Sequence, residues 1–295
     1  MVGYKVESFT PSVFLADACS AMCVATAVSV PISIIDYAII SKIAKVTPTI
    51  SGSVVEGSKI LFSTPRTFFL PQDAYSIFKP WTLIDPTGNP NNHRSLVYWV
   101  CTTVYFWTYL TNNATMSYMQ ANGNDENSIR WSKGLVSGGV NTVLTMWKDT
   151  VILMSLPRVP GAKGKPYVPW FSRGLFCVRD VGTCCAAFTL APYATDYLND
   201  YYKNKSAVSS ISNSNLAQIC VPAAIQILST FIHITSIVYQ RNYPSCKVSH
   251  VTESIRMDYL GTLCGRICRI IPAFGIGGIG NTYLLADLAK RAEGK

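Results

Sequence analysis

The chain has 295 residues, of which 49% are apolar and 14% are charged, and its mean hydropathy is +0.23. Soluble domains carry about 25% charged residues on average, so this composition predicts a membrane protein. The formal net charge is +9, but the basic residues form no continuous stripe with aromatic residues, so we expect no nucleic-acid partner. No pair of catalytic carboxylates and no nucleophile with a base stands out, so we do not expect an enzyme.

Six apolar segments follow one another along the chain, and each is long enough to cross a bilayer, which takes roughly 20 residues. They run from about Pro11 to Ile43, Arg94 to Met119, Trp131 to Leu156, Phe171 to Tyr197, Leu216 to Tyr239 and Leu263 to Leu288. Several contain a charge or a proline, such as Asp36, Lys148, Arg179 and Pro222. Because a charge is costly against lipid, these residues indicate helices that line a polar interior. The predicted fold is an all-α bundle of six tilted transmembrane helices.

The ten cysteines give no sign of a metal site. Most lie within the apolar segments, where a thiol behaves as a small hydrophobic group, so we interpret them as reduced packing residues. Cys19 and Cys23, like Cys264 and Cys268, are one helical turn apart, but no histidine or carboxylate cluster accompanies either pair. We expect no metal and no other cofactor.

Positive charge is concentrated in every second connection between the segments. Lys42–Lys79 contains five basic residues, Arg158–Arg173 contains four and Arg241–Arg269 contains five, whereas the connections between them are nearly balanced. Basic connections remain on the side of the membrane where insertion begins. An even number of spans then places both termini on the other side, and the basic segments are suited to contact anionic lipids.

The sixth segment contains Gly275-x-Gly277-x-x-Gly280, which is the spacing of a dinucleotide-binding loop. Such a loop lies in a βαβ unit and needs an acidic residue about 20 positions later. Because the glycines lie inside an apolar segment and the chain ends at Lys295, we expect no such unit. We interpret the glycines as small residues that let membrane helices approach closely.

Two stretches about 90 residues apart have the same form, a glycine and then Arg-x-x-(Pro/Gly) followed by small residues. The first contains Gly174 and Arg179, and the second contains Gly265 and Arg269. A fainter copy is Gly88 followed by Arg94, at the start of the second segment. Three helix pairs, each with a basic connection inside the pair, predict an internal repeat. The repeats of this single domain, residues 1–295, are placed at about 1–125, 126–208 and 209–295.

Together these features resemble the mitochondrial carrier family, in which three tandem repeats each pair two membrane helices through a matrix loop with a short amphipathic helix. The stretch SGSVVEGSKILFSTPRTFFL is similar to such a matrix helix, and Ser137-Gly138-Gly139-Val140 is similar to the small-residue run of the odd-numbered helices. The resemblance implies a multi-pass protein of the mitochondrial inner membrane, with its basic loops in the matrix and both termini in the intermembrane space.

The motif that defines those carriers, Pro-x-(Asp/Glu)-x-x-(Lys/Arg), occurs nowhere in this chain. The residues at the corresponding or neighbouring positions are Pro31, Ser33, Asp36, Arg158, His233 and Gln240. The resemblance implies that they are degenerate gate positions, and Asp36, without a basic partner in the motif, is costly unless it is solvated or paired. A carrier-like chain without gates indicates an accessory subunit of a larger inner-membrane assembly, such as a respiratory-chain complex. This is the main functional hypothesis.

An alternative hypothesis retains transport. In the family that the chain resembles, an arginine followed by an acid midway along the fourth helix marks carriers of amino acids, and Arg179-Asp180 fits that pattern. Arg269 corresponds to a basic substrate contact on the sixth helix, and Arg94 to one on the second. The protein would then exchange an amino acid or a carboxylate. The opposing interpretation is that Arg179 and Asp180 neutralise each other, or hold a lipid or a neighbouring subunit.

The first connection is the predicted partner surface. Its stretch FFLPQDAYSIFKPWTLIDP is rich in aromatic residues and is interrupted by prolines, and aromatic residues are enriched in interface cores. Phe78 and Trp81 are expected either to contact subunits of the assembly or to pack on the protein's own bundle. The membrane lipids bound by the basic loops would include cardiolipin.

Overall fold

The computed structural model describes residues 6–43, 46–69, 90–155, 169–202 and 213–292. Every regular element in these ranges is a helix, which confirms the all-α prediction. The helices are α1 (Pro11–Ile43), α2 (Ile50–Ser63), α3 (Pro65–Phe69), α4 (Pro90–Ala121), α5 (Glu126–Ser155), α6 (Trp170–Cys184), α7 (Ala191–Tyr202), α8 (Asn213–Ala224), α9 (Gln226–Asn242), α10 (Val248–Ile270) and α11 (Gly277–Ala292). Phe78 and Trp81, the predicted partner contacts, lie outside the described residues.

Six long helical rods account for most of this structure. α1, α4 and α5 are each one rod. α6 continues into α7 through the π turn Cys185–Leu190, and α10 continues into α11 through the π turn Ile271–Ile276. α8 and α9 form the remaining rod, which has a one-residue break at Ile225 where the backbone keeps a right-handed helical conformation.

The six rods close into a ring. Each rod packs against the next along the chain, and the last rod, α10–α11, packs against α1. Because successive rods run in opposite directions, α1 begins and α11 ends at the same face, where Ser12 Oγ donates a hydrogen bond to Ala292 O at 3.4 Å. We call this end of the ring the terminus face and the other end the opposite face.

The turn between α4 and α5 lies at the terminus face. Gly123 has a φ of +69°, a conformation that favours glycine. Asp125 begins α5 by accepting hydrogen bonds from the backbone N–H and the hydroxyl of Ser128, at 3.0 and 2.6 Å. These bonds stabilise the ionised carboxylate and hold the pKa of Asp125 below its ordinary value.

The ring has an apolar exterior and a polar interior. Large apolar side chains are exposed on all six rods; they include Leu15, Trp107, Val143, Val178, Leu228 and Leu260. Within the described residues four rods are both long and apolar enough to cross a membrane, namely Pro11–Ile43, Trp170–Tyr201, Asn213–Asn242 and Val248–Ala292. The chain is therefore a multi-pass helical membrane protein. Of the six predicted spans these four are candidates by length and composition. The other two, α4 and α5, have the length but a more polar composition.

The last rod departs most from the predicted boundaries. The apolar pattern predicts a helix from about Leu263, whereas α10 begins at Val248. The first turns of α10 contain charges such as Arg256, which interrupt the apolar pattern without breaking the helix. Arg266 and Arg269, counted above as part of a basic connection, are buried within this rod.

α2 and α3 form the short helical segment that was expected after the first span. α3 packs on the edge between α1 and α4, where the rings of Phe68 and Tyr98 have centroids 5.7 Å apart. Trp99 Nε1 donates a hydrogen bond to Phe69 O at 2.6 Å. The segment is therefore attached to the ring by aromatic packing.

Two glycines of the Gly275-x-Gly277-x-x-Gly280 run lie where rods meet closely. A Cβ atom added to Gly275 would be 2.9 Å from Ile219 Cγ1, and one added to Gly277 would be 2.9 Å from Val28 Cγ1. Around Gly280 nothing lies within 4 Å of the added atom. The prediction that these glycines let helices approach closely is confirmed at Gly275 and Gly277 and is wrong at Gly280.

Alanine substitutions at Gly277 and Gly280 are expected to have opposite effects on stability. Gly277→Ala places a methyl group against Val28 and the Tyr109 hydroxyl, and such overpacking costs about 1–3 kcal/mol. Gly280→Ala replaces a helical glycine without any contact and stabilises by up to ~1 kcal/mol. Thermal melting of the purified protein in detergent measures both variants. Equal Tm values for the two would contradict the close packing at Gly277.

All ten cysteines are free thiols. Five of them are exposed rather than buried, so the expectation that they pack inside is wrong for Cys19, Cys23, Cys220, Cys264 and Cys268. Within the described ranges no group of three or more His, Cys, Asp or Glu side chains is placed to hold a metal ion.

Candidate functional site

A cavity of about 430 Å³ lies between the rods. Its described lining comes from α4, α5, α8, α11 and the rod formed by α6 and α7. One charged side chain, Lys133, belongs to that described lining. The other polar residues are amides and hydroxyls: Tyr109, Asn112, Asn113, Gln120, Ser214, Asn215, Gln218, Asn281, Thr282 and Tyr283.

The cavity is close to the terminus face. Gln120 lies in the last turn of α4, and Ser214 lies in the first turn of α8. Beside the cavity Arg130 of α5 pairs with Asp196 of α7 at 2.6 Å and with Glu126 at 2.7 Å. These exposed ion pairs connect the ends of α5 and α7 at this face.

Aromatic side chains form the floor of the cavity. Tyr109 and Phe188 line it directly. Phe274 packs behind them, with ring centroids 5.5 Å from Phe188 and 6.3 Å from Tyr105. The Tyr109 hydroxyl donates a hydrogen bond to Ala273 O. Phe188 and Phe274 belong to the two π turns, and π turns within helices are frequent at functional sites.

A network of buried charges lies beyond this floor, towards the opposite face. Along the α6–α7 rod Arg179 is about 13 Å from Phe188 at the helical rise of 1.5 Å per residue. Asp36 of α1 connects three rods, because Lys148 Nζ of α5 is 2.5 Å from Oδ2 and Arg269 Nη1 of α10 is 2.9 Å from Oδ1. Only 2% of Asp36 is exposed.

The network continues through Asp149 to Arg179. One oxygen of Asp149 is 2.8 Å from Lys148 Nζ, and the other is 2.8 Å from Arg179 Nη1. Arg179 also forms a bidentate pair with Asp180, with both bonds at 2.8 Å, and lies 2.7 Å from His233 Nδ1. Rods α1, α5, α6–α7, α8–α9 and α10–α11 are thereby connected by charged and polar contacts.

Arg266 of α10 is also buried but has neutral partners. Its Nε and Nη2 donate to Gln226 Oε1 at 3.1 and 2.7 Å, and Nη2 also donates to Ser229 Oγ at 3.1 Å. Nη1 has no hydrogen-bond partner among the described residues, although only 1% of Arg266 is exposed.

A second polar cluster links α1, α4 and α11 beside the cavity. Asn113 and Asn281, which both line the cavity, exchange amide hydrogen bonds of 3.1 and 2.7 Å. Ser20 Oγ donates to Asn281 Oδ1 at 2.9 Å, and Ser117 Oγ donates to Asp17 Oδ1 at 3.0 Å. These bonds fix the orientation of two amides that face the cavity.

The structure brings three of the four predicted substrate residues, Arg179, Asp180 and Arg269, into the charge network. None of the three belongs to the described lining of the cavity. The side chain of Arg94 lies outside what the structure describes, and so does all of Arg158.

The predicted gate positions have different environments. Asp36 has the two basic partners that its motif lacks, and His233 contacts Arg179. Pro31 lies within α1, where the Ser33 hydroxyl donates to its own helix at Val30 O. Gln240 lies near the end of α9, and its Oε1 has no hydrogen-bond partner in the described part of the chain.

Four important residues were not singled out from the sequence: Lys133, Asp149, Gln226 and Arg266. Asp149 follows Lys148 inside an apolar segment, and this adjacency of charges was the available signal. Lys133 and Arg266 were counted only as loop charges. Nothing in the local pattern marks Gln226, because its role depends on Arg266 in another rod.

A ring of helices with an apolar exterior, four candidate membrane spans, a cavity lined by apolar and polar side chains and a buried charge network defines a polytopic helical membrane protein. Residues 20–289 match the family described as probable citrulline exporter, and the chain belongs to that family. No curated protein and no solved structure matches the chain.

The resemblance to the mitochondrial carrier family is wrong, because the family that the chain matches is a different one. Basic connections orient membrane proteins during insertion, and small-residue runs let membrane helices pack closely. Because both occur in many membrane proteins, they do not distinguish one polytopic family from another. The feature specific to mitochondrial carriers is the Pro-x-acid-x-x-base motif, and this chain lacks it. The mitochondrial inner membrane was implied by that resemblance alone and loses this support, whereas the multi-pass topology stands.

Membership in an exporter family also separates the functional hypotheses. The alternative hypothesis, transport of a solute, agrees with the family, whereas the match gives no support to an accessory subunit. Because the family is one of transporters, the prediction that the chain is not an enzyme is confirmed.

Proposed function

We propose that this protein carries citrulline, or a similar zwitterionic amino acid with a polar uncharged side chain, across its membrane by alternating access. The observation that carries the proposal is the described lining of the cavity, which combines one cation, Lys133, with amides and hydroxyls. The volume of about 430 Å³ lies within the ~300–1,000 Å³ of small-molecule sites. The description of the family supports the same substrate.

Each group of citrulline has a chemical counterpart in the cavity. The ammonium of Lys133 supplies positive charge for the carboxylate. The ureido group both donates and accepts hydrogen bonds, as do the side-chain amides that line the cavity. Asn112 Oδ1 is buried without a hydrogen-bond partner among the described residues, so it is available to accept from a substrate N–H group. A basic side chain such as that of ornithine meets no carboxylate in the described lining and is disfavoured.

Alternating access requires a barrier that opens on one side at a time. In this structure the cavity is at the terminus face, while the aromatic floor and the charge network close the path to the opposite face. For the opposite face to open, the rods joined by Asp36 and Arg179 must separate. The two π turns and the break at Ile225 are positions where rods can bend.

The same proposal includes the topology. All six rods cross the membrane as three consecutive pairs, with the termini on one side and the basic connections on the other. The exposed Trp107 of α4 and Val143 of α5 support the inclusion of these two rods. The repeat boundaries near 125 and 208 stay a prediction. Tags on the two termini test the orientation, since both must be accessible from the same side.

Replacing Lys133 with glutamine is expected to raise the KM for citrulline at least ~10-fold, because a hydrogen bond to a charged group contributes about 1.5–3 kcal/mol. Counterflow of labelled citrulline into proteoliposomes measures this KM. Lys290→Gln, at an exposed lysine of α11, is the matched control and should leave the KM unchanged. An unchanged KM for the Lys133 variant would remove this residue from the binding site.

A further inference from the structure

The charge network contains one more positive than negative group among the described residues. Its cations are Lys148, Arg179, Arg266 and Arg269, and its carboxylates are Asp36, Asp149 and Asp180. Lys148 and Arg269 share Asp36, and Arg179 pairs with Asp180. The excess positive charge is therefore located at Arg266, whose described partners are the neutral Gln226 and Ser229.

A buried cation in a membrane protein is costly without a counter-charge. Arg266 is positioned by two neutral side chains and keeps Nη1 without a hydrogen-bond partner in the described ranges. This arrangement leaves the two N–H groups of Nη1 ready to donate to an anion. Among anions, a carboxylate suits this nitrogen, because a charged guanidinium and a carboxylate form charge-assisted hydrogen bonds.

The residues around Arg266 lie next to irregular positions in two rods. Gln226 is the first residue of α9, directly after the break at Ile225, and its Nε2 donates to Pro222 O at 3.0 Å. The same Nε2 is 3.5 Å from Thr183 Oγ1, just before the π turn of the α6–α7 rod. Transporters commonly bind the charged groups of their substrates at interrupted helices near the middle of the membrane.

Arg266 lies farther from the terminus face than the cavity does. Gln218 lines the cavity, and Gln226, which holds Arg266, is about 12 Å farther along the same rod at 1.5 Å per residue. Lys133 at the cavity and Arg266 beyond the aromatic floor are thus two positive positions in succession from the terminus face inwards.

We propose that Arg266 is a second carboxylate-binding site, which takes the carboxylate of the substrate after Lys133 when the opposite face opens. The substrate then supplies the negative charge that the network lacks. This inference rests on the proposed function, and it makes a free carboxylate a requirement for translocation.

The test compares the wild-type protein with R266Q, R266K and the matched control R256Q, which changes an exposed arginine of the same helix. For R266Q, the Kd of citrulline in detergent is expected to stay within about twofold of wild type, because Lys133 is unchanged, while the maximal counterflow rate falls about 10- to 100-fold. R266K is expected to retain an intermediate rate, and R256Q the wild-type rate. Citrullinamide, which lacks the carboxylate, should drive counterflow by the wild type poorly.

Thermal melting separates binding from a structural role. Since Arg266 lacks a carboxylate partner among the described residues, R266Q is expected to melt at the wild-type temperature or above it. A wild-type counterflow rate for R266Q would overturn the assignment. So would a Tm reduced as far as that of R269Q, a variant that removes the cation paired with Asp36. If the wild type itself moves no citrulline, the proposed function fails together with this inference, whereas an active wild type with an equally active R266Q overturns the inference alone.

Discussion

Asp36→Ala is expected to lower the free energy of unfolding by about 3–5 kcal/mol, because breaking a buried ion pair leaves an uncompensated charge. Asp36 contacts both Lys148 and Arg269. The side chains of Asp36 and Lys148 are each 2% exposed, and that of Arg269 is 8% exposed. Without Asp36, Lys148 keeps Asp149, but Arg269 loses its carboxylate partner. The result should be a large drop in Tm in detergent and a reduced yield of folded protein.

A double variant makes this prediction specific. In D36N/R269Q the stranded cation is removed together with the carboxylate, while Lys148 still pairs with Asp149. The double variant is therefore expected to be more stable than D36N alone, a coupling that a double-mutant cycle measures. Asp287→Asn is the surface control, since its pair with Arg291 is exposed and such pairs contribute about 0–1 kcal/mol. Strictly additive losses in D36N and R269Q would contradict the pairing.

Arg179→Met should produce the second large loss, also about 3–5 kcal/mol. Arg179 is fully buried and holds Asp180 through two hydrogen bonds. When it is removed, Asp149 keeps Lys148, whereas Asp180 is left without a cation among the described residues. Melting in detergent measures the loss, and citrulline counterflow should fall with it. Arg291→Met, at a position 74% exposed, serves as the control.

Neutralising the stranded carboxylate should recover stability. R179M/D180N removes both members of the bidentate pair, so we expect its Tm to exceed that of R179M. If the double variant is no more stable than R179M, then Asp180 is not the group that is left uncompensated, and the assignment of this pair would be wrong.

The helical architecture was largely predictable from the sequence, because long apolar runs determine membrane helices. The predicted first segment, Pro11–Ile43, coincides with α1. Two features escaped the apolar pattern: the first turns of α10 contain charges within a continuous helix, and the π turn Ile271–Ile276 has no signature in composition alone. The apolar pattern predicts the lipid-facing part of a helix. It does not predict the turns by which the same helix continues into a polar environment.

The candidate site was predictable only where charges are neighbours in sequence. Arg179 and Asp180 are adjacent and do pair. Asp36 and Arg269 are 233 positions apart, so their pairing depends on the closure of the ring and has no local signal. The cavity itself was missed, because its lining amides are distributed over several rods and only folding places them around Lys133.

Counterflow of labelled citrulline into proteoliposomes that contain the unmodified protein tests the transport function most directly. We predict saturable uptake that is driven by preloaded citrulline, is driven weakly by preloaded ornithine, and is absent from protein-free liposomes. Uptake no faster than in protein-free liposomes, whichever of the two amino acids is preloaded, would contradict the proposal that this ring of helices carries citrulline.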